Sequence, residues 1–171
     1  MRLTHGHRVA TGLALAVTLL APRIAAAATT AEPSLAGTWT LTAADRLKPD
    51  GSRARDYGEH PHGRLIIDAQ GRYSLQIFKA ERLRVASGDK AKATPEEFAS
   101  AALGSSTHYG TVAIDAAAHV LVFRIEGASF PNWEGTEQRR AYTLTADSLS
   151  YQVPTPRVDG SIPISEWRRE R

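Results

Sequence analysis

The chain of 171 residues reads as all-β: about eight short strands in an antiparallel up-and-down barrel, with one short helix after the third. Three observations predict this. Runs of roughly four to ten residues with alternating or β-rich character recur from Gly37 to Arg169. Most segments between them are short and turn-like, as sequential hairpins require. One segment alone carries a full set of helix-start signals. A ring of hairpins closes without leaving an edge strand, whereas a Greek-key sandwich needs longer crossing connections than most of these.

In order, the first strand is Gly37 to Ala44, where Trp39, Leu41 and Ala43 alternate with Thr38, Thr40 and Thr42. Asp45 to His62 has loop composition, rich in Arg, Lys, Pro, Gly and Asp. Arg64 to Ile67 and Arg72 to Phe78 form a hairpin through Asp68-Ala69-Gln70-Gly71, with Gly71 suited to the left-handed turn position. Thr94-Pro95-Glu96-Glu97 supplies a cap residue, a proline at the first helical position and two acids in the first turn, so a helix runs from there to Leu103. Its apolar face of Phe98, Ala101, Ala102 and Leu103 is modest, which fits a lid or plug on the barrel and equally a crossover connection. Thr107 to Asp115, His119 to Glu126, Thr136 to Leu144, Ser148 to Val153 and Ile162 to Arg169 complete the set, with tight connections at Asp115 to Ala118 and Ala146-Asp147. The inward face is open for several strands: Tyr73, Leu75 and Ile77 form one face, while Leu121, Phe123 and Ile125 oppose Val120, Val122 and Arg124.

Ahead of this domain, Val9 to Ala21 is an apolar run of about a dozen residues behind Arg2 and Arg8, the length of a secretion-signal core. It is short for a membrane span. Pro22 ends it, and Ala26-Ala27-Ala28 before Thr29 is the best small-residue cleavage site, so residues 1–28 read as a signal peptide. Residues 29–34 read as a flexible lead-in and 35–171 as the barrel. Arg2, Arg8 and Arg23 leave with the leader, so of 21 Lys and Arg 18 remain, against 18 Asp and Glu. That balance carries no electrostatic footprint for nucleic acid. Absence of cysteine excludes disulfides, thiolate metal sites and a thiol nucleophile, so burial alone must stabilise the fold. The expected compartment is the periplasm or the exterior, with no stable membrane anchor.

Gly37-Thr38-Trp39 resembles the G-x-W that opens lipocalins, and Ser129-Phe130-Pro131-Asn132-Trp133-Glu134-Gly135-Thr136-Glu137-Gln138-Arg139-Arg140 resembles the PNW-x-GT-x-Q-x-R block of the bacterial and fungal lipocalin-like domain family. Tyr57 to Leu65 is similar to that family's G-x-x-P-x-G-x-L segment, Gly71 to Ser74 to its glycine and hydroxyl-rich strand, and Tyr109-x-Thr111 completes the match. The resemblance implies a lipocalin-like barrel whose tryptophan, Trp39, caps the closed end beneath an arginine of the last strand, Arg168. It implies no shared activity. Members often carry a histidine pair on the strand before the PNW block, where this chain has Phe123 and Arg124, so chemistry resting on those histidines does not transfer.

Candidate ligand contacts are polar or aromatic residues on faces that turn inward. They are Tyr73, Tyr109, Trp133, Gln138, Arg140 and Tyr142. Gln138, Arg140, Tyr142 and Leu144 share one face of a strand. An arginine among aromatics there suits an anionic head group through bidentate hydrogen bonds, but the leading expectation for it is a salt bridge to Glu126 or Glu137 on a neighbouring strand. Trp133 is a pocket rim or an anchor in the core; Tyr73 and Tyr109 are core aromatics or ligand contacts. His108 is the histidine placed to reach the cavity as a general base. His60-Pro61-His62 lacks supporting metal-site spacing, and no nucleophile elbow, phosphate loop or dinucleotide fingerprint occurs, so no metal or cofactor is expected.

Three readings follow. The leading one is an exported barrel that binds a small, largely apolar or amphipathic molecule. A second is an isomerase, cyclase or hydrolase using the same cavity, and a third is a structural or interaction protein with a barrel filled by its own side chains, Trp39, Tyr73 and Phe123 meeting at its centre.

Overall fold

The computed structural model describes residue 1, residues 33–153 and residues 157–171. Residues 1–28, read from the sequence as a signal peptide, and most of the expected lead-in lie outside the described residues, apart from Met1, Pro33 and Ser34. The unit Glu32–Arg171 carries the whole barrel.

Its strands are β1 (Gly37–Leu47), β2 (Arg53–Ala54), β3 (His62–Ile67), β4 (Arg72–Phe78), β5 (Ser105–Asp115), β6 (Val120–Ala128), β7 (Glu137–Leu144), β8 (Ser148–Gln152) and β9 (Ile162–Arg169), with helix α1 (Pro95–Leu103) between β4 and β5. Eight of them close a ring in the order β1-β3-β4-β5-β6-β7-β8-β9, every pair antiparallel, with β9 returning to β1. The two-residue β2 extends the end of β1. This is the closed meander expected from the run of hairpins. The region read as loop after Ala44 differs: β1 continues to Leu47, and a bulge between Leu41 and Ala43 bends it while it stays paired with β9.

Local chemistry explains the sharper elements. Asp68 accepts from the backbone N–H groups of Gln70 and Arg72 at 2.9 Å each, and Gly71 takes φ 79°, so the β3–β4 turn is held by an Asp side chain and a left-handed glycine. Thr94 and Glu97 form a reciprocal capping box at the start of α1. That helix buries no side chain and leaves Phe98 and Leu103 exposed; it lies outside the barrel as a connection and plugs nothing.

The open question of inward faces resolves in favour of Tyr73, Leu75 and Ile77 on β4 and Leu121, Phe123 and Ile125 on β6, all buried. Leu65 and Ile67 on β3 and Leu149 and Tyr151 on β8 join them, together with Trp167 on β9. Trp39 is fully buried at the end where β1 begins, and its indole N–H donates to the Leu35 carbonyl at 3.0 Å. The arginine above it is Arg169, and this corrects the expectation for Arg168. Alternation on β9 points Trp167 and Arg169 inward and Arg168 to solvent. The Arg169 guanidinium lies 4.0 Å from the centre of the Trp39 ring and donates to the carbonyls of Ala146, Ala36 and Ser34. Gly37 makes room for it, since a Cβ there would sit 2.7 Å from the Arg169 Nη1. That contact gives the glycine of G-x-W a steric reason.

Candidate functional site

The barrel is filled at one end and hollow at the other. Around Trp39 the inward side chains pack against one another, and Tyr73 meets Phe123 edge to face at 5.0 Å. At the opposite end a cavity of about 540 Å³ opens between the ends of β4 and β8 and the beginnings of β5, β7 and β9. Its apolar wall is Leu75 and Ile77 from β4, Val153 and Pro163 from the β8 and β9 ends, and the Trp133 ring. Its polar wall is Ser106, His108, Gln138, Arg140, Tyr151 and Ser165, and the more exposed Thr136, Glu137 and Arg157 complete the lining.

Trp133 reaches the rim because Pro131–Trp133 forms a 3₁₀ turn in the β6–β7 connection. The indole is half-buried, edge-on to His108 at 5.9 Å between ring centres and to Phe130 at 5.4 Å. Of its two sequence readings the structure realises the rim.

Arg140 is the centre of the polar wall. Strand alternation sends Gln138, Arg140 and Tyr142 inward and Glu137 and Arg139 outward. Arg140 is only 4% exposed, with Phe123 under its guanidinium at 4.3 Å and the Tyr151 ring at 5.0 Å. Its Nη2 donates to Gln138 Oε1 at 2.7 Å and faces His108 Nε2 at 3.4 Å. The expected salt bridge does not form. Glu137 stays at the rim with Arg124 and Arg139, and Glu126 faces outward on β6. Burial presses the Arg140 pKa downward, but a guanidinium stays charged in a protein.

His108 is packed between that cation and a phenol, its Nδ1 2.7 Å from the Tyr73 hydroxyl. Arginine has only donors to offer, so Nε2 is the bare nitrogen and Nδ1–H donates to Tyr73. Burial, then the Arg140 charge, push the His108 pKa down to about 3. The ring is neutral near pH 7 with both nitrogens engaged, an arrangement that holds Arg140 in place and leaves little for a general base to do. Burial likewise raises the Tyr73 pKa and keeps that hydroxyl protonated.

Three buried polar atoms, Arg140 Nε, the Tyr151 hydroxyl and Trp167 Nε1, make no well-formed hydrogen bond among the described residues, the hydroxyl lying close to Trp167, Ser165 and Arg140. Buried polar groups in folded proteins are nearly always paired, and of these three Arg140 and Tyr151 line the cavity with hydrogen-bonding capacity to spare.

Of the sequence candidates, His108, Trp133, Gln138 and Arg140 meet at the cavity. Tyr73 lies behind His108 and does not line it. Tyr109 points outward, 54% exposed, with its ring against Gly127. Tyr142 is buried nearer the filled end, stacked on His119 at 4.6 Å. Tyr151 and Ser165 were not among the candidates. The alternation of Leu149 and Tyr151 with Ser148, Ser150 and Gln152 is signal enough to find Tyr151; Ser165 carries none. Among the described residues no three potential metal ligands converge, and no helix is long and apolar enough to cross a membrane.

A closed antiparallel barrel with one packed end, one hollow end and a few polar groups converging in the hollow defines the class of small-molecule-binding β-barrels. Residues 36–167 match the model of the lipocalin-like domain family, and the chain belongs to that family. No curated protein and no solved structure matches it.

Proposed function

We propose that the chain is exported and that its barrel binds a small, largely apolar molecule at the hollow end. The observation that carries this reading is the cavity itself: about 540 Å³, apolar on one side, with a few fixed polar groups on the other. Ligand sites of this size and make-up bury most of a small molecule. Covering some 250 Å² of apolar ligand surface contributes roughly 6 kcal/mol before the costs of association. Gln138 and Arg140 orient the ligand's polar end, and Trp133 closes over it from the rim. Export is supported by the leader, whose basic start, short apolar core and small-residue cleavage site fit a secretion signal.

The test is titration of the mature protein with N-phenyl-1-naphthylamine, a neutral apolar dye that brightens when shielded from water. The expected result is saturable binding at one dye per chain, weakened by Trp133→Ala at the rim. A flat titration, together with native mass spectrometry finding nothing retained by protein from its own host, sinks the proposal. The leader is tested separately by sequencing the N-terminus of the exported form, expected near Thr29.

A further inference from the structure

We infer that the polar wall of the cavity is a seat for one carboxylate, held by Arg140, so that the molecule taken up is an apolar monocarboxylate. This rests on the binding reading above and names the chemistry of its ligand.

The contrast among arginines carries the inference. Arg46, Arg53, Arg72, Arg124, Arg139 and Arg157 each lie within ion-pair distance of a carboxylate, and all are more exposed than Arg140. Arg169, the other inward arginine, is satisfied by three backbone carbonyls. Arg140 is the most deeply buried of these, and its partners, Gln138 and a neutral His108, carry no charge. An uncompensated buried cation is among the costliest arrangements in a protein interior. Here it opens onto a cavity, with Nε unpartnered. The aromatic faces of Phe123 and Tyr151 and the hydrogen bond to Gln138 fix the guanidinium plane before any ligand arrives.

A carboxylate matches that plane with two oxygens and one charge. The Tyr151 hydroxyl, close to Arg140, adds a donor on the same wall. A phosphate monoester fits less well, bringing up to two charges where Arg140 is the one lining cation without a carboxylate partner, Arg157 being paired with Asp56. An amine would face that cation directly. The ligand's body then lies along Leu75, Ile77, Val153 and Pro163, which bear no charge.

The experiment displaces the neutral dye from the mature protein with decanoate, decanol and decylamine, three probes with one alkyl chain and different head groups, at pH 7. Decanoate is expected to bind at least about tenfold more tightly than decanol, and decylamine weakest. Arg140→Met should erase the preference while decanol still binds; Arg140→Lys should recover part of it, having the charge without the fork. Equal binding of decanoate and decanol, or tightest binding of decylamine, overturns the carboxylate seat and leaves the binding barrel standing. Failure of all three to displace bound dye overturns the seat as well, and failure of the dye itself to bind overturns the barrel reading with it. The wild-type series decides the matter even where a variant does not fold.

Discussion

At the scale of single residues, the chemistry of the hollow end turns on keeping His108 neutral beside Arg140. Its pKa is about 3 in the folded barrel against an ordinary 6.5, so the unfolded chain takes up the proton first as pH falls. The contribution to stability is fully present above pH 6.5 and is lost as pH falls toward 3, at up to about 1.4 kcal/mol per unit. The expected outcome is a falling urea midpoint between pH 6.5 and 4.5, above the range where carboxylates titrate. His108→Gln, which keeps polar atoms for Tyr73 and Arg140, should flatten that slope. At the filled end, Arg169→Met removes a cation from the Trp39 face and three carbonyl hydrogen bonds, and should cost about 2–3 kcal/mol. Arg168→Met, one residue away on the solvent side, should stay within about 0.5 kcal/mol in the same denaturation experiment.

At the scale of elements, β5 and β6 show how a strand is bent without losing its pairing. The register shifts between Tyr109 and Gly110, leaving Glu126 as the extra residue on β6. Gly110 adopts φ 154°, and a Cβ there would lie 2.0 Å from the Arg124 carbonyl oxygen. Gly110→Ala should therefore cost about 3 kcal/mol or more, read as a lower unfolding midpoint, because backbone has to move. Helix α1 behaves oppositely. Its capping box stabilises the helix locally by about 1 kcal/mol, yet the helix buries nothing. Thr94→Ala should speed amide exchange across 95–103 while changing global stability by less than about 0.5 kcal/mol. Dye binding should be unaffected, since no α1 side chain lines the cavity.

At the scale of the whole molecule, the filled-barrel and open-barrel readings each describe half of the structure. Trp39 and the Tyr73–Phe123 pair belong to one packed core at one end, and the same ring of strands stays hollow at the other. The filled half provides the stability that the hollow half gives up, with its buried cation lacking a carboxylate partner. Arg140→Met should leave the ligand-free protein as stable as before or more so by about 1–3 kcal/mol, since an apolar residue of similar length suits a desolvated site better. Thermal unfolding of the two proteins without ligand measures this. A large loss of stability would mean that Arg140 is a structural prop.

Strand alternation and turn chemistry are local, and they were legible: β4 and β9 run between the expected residues, α1 starts after Thr94 and ends at Leu103, and the Asp68–Gly71 hairpin forms. That Gln138, Arg140 and Tyr142 share one face was legible for the same reason, and the resemblance placed an arginine over Trp39. Which of Arg168 and Arg169 does so depends on the register of β9 against β1, strands well over a hundred residues apart, where a slip of one residue exchanges inside for outside. The choice of the Leu121–Phe123 face over an equally apolar neighbour was made by packing around the closed ring. So was the fate of Tyr73, drawn behind His108, and of Arg140, left without a carboxylate because Glu137 is held at the rim by Arg124 and Arg139. A cavity is space that no side chain fills, and that is a property of the closed ring of strands, carried by no single strand's pattern.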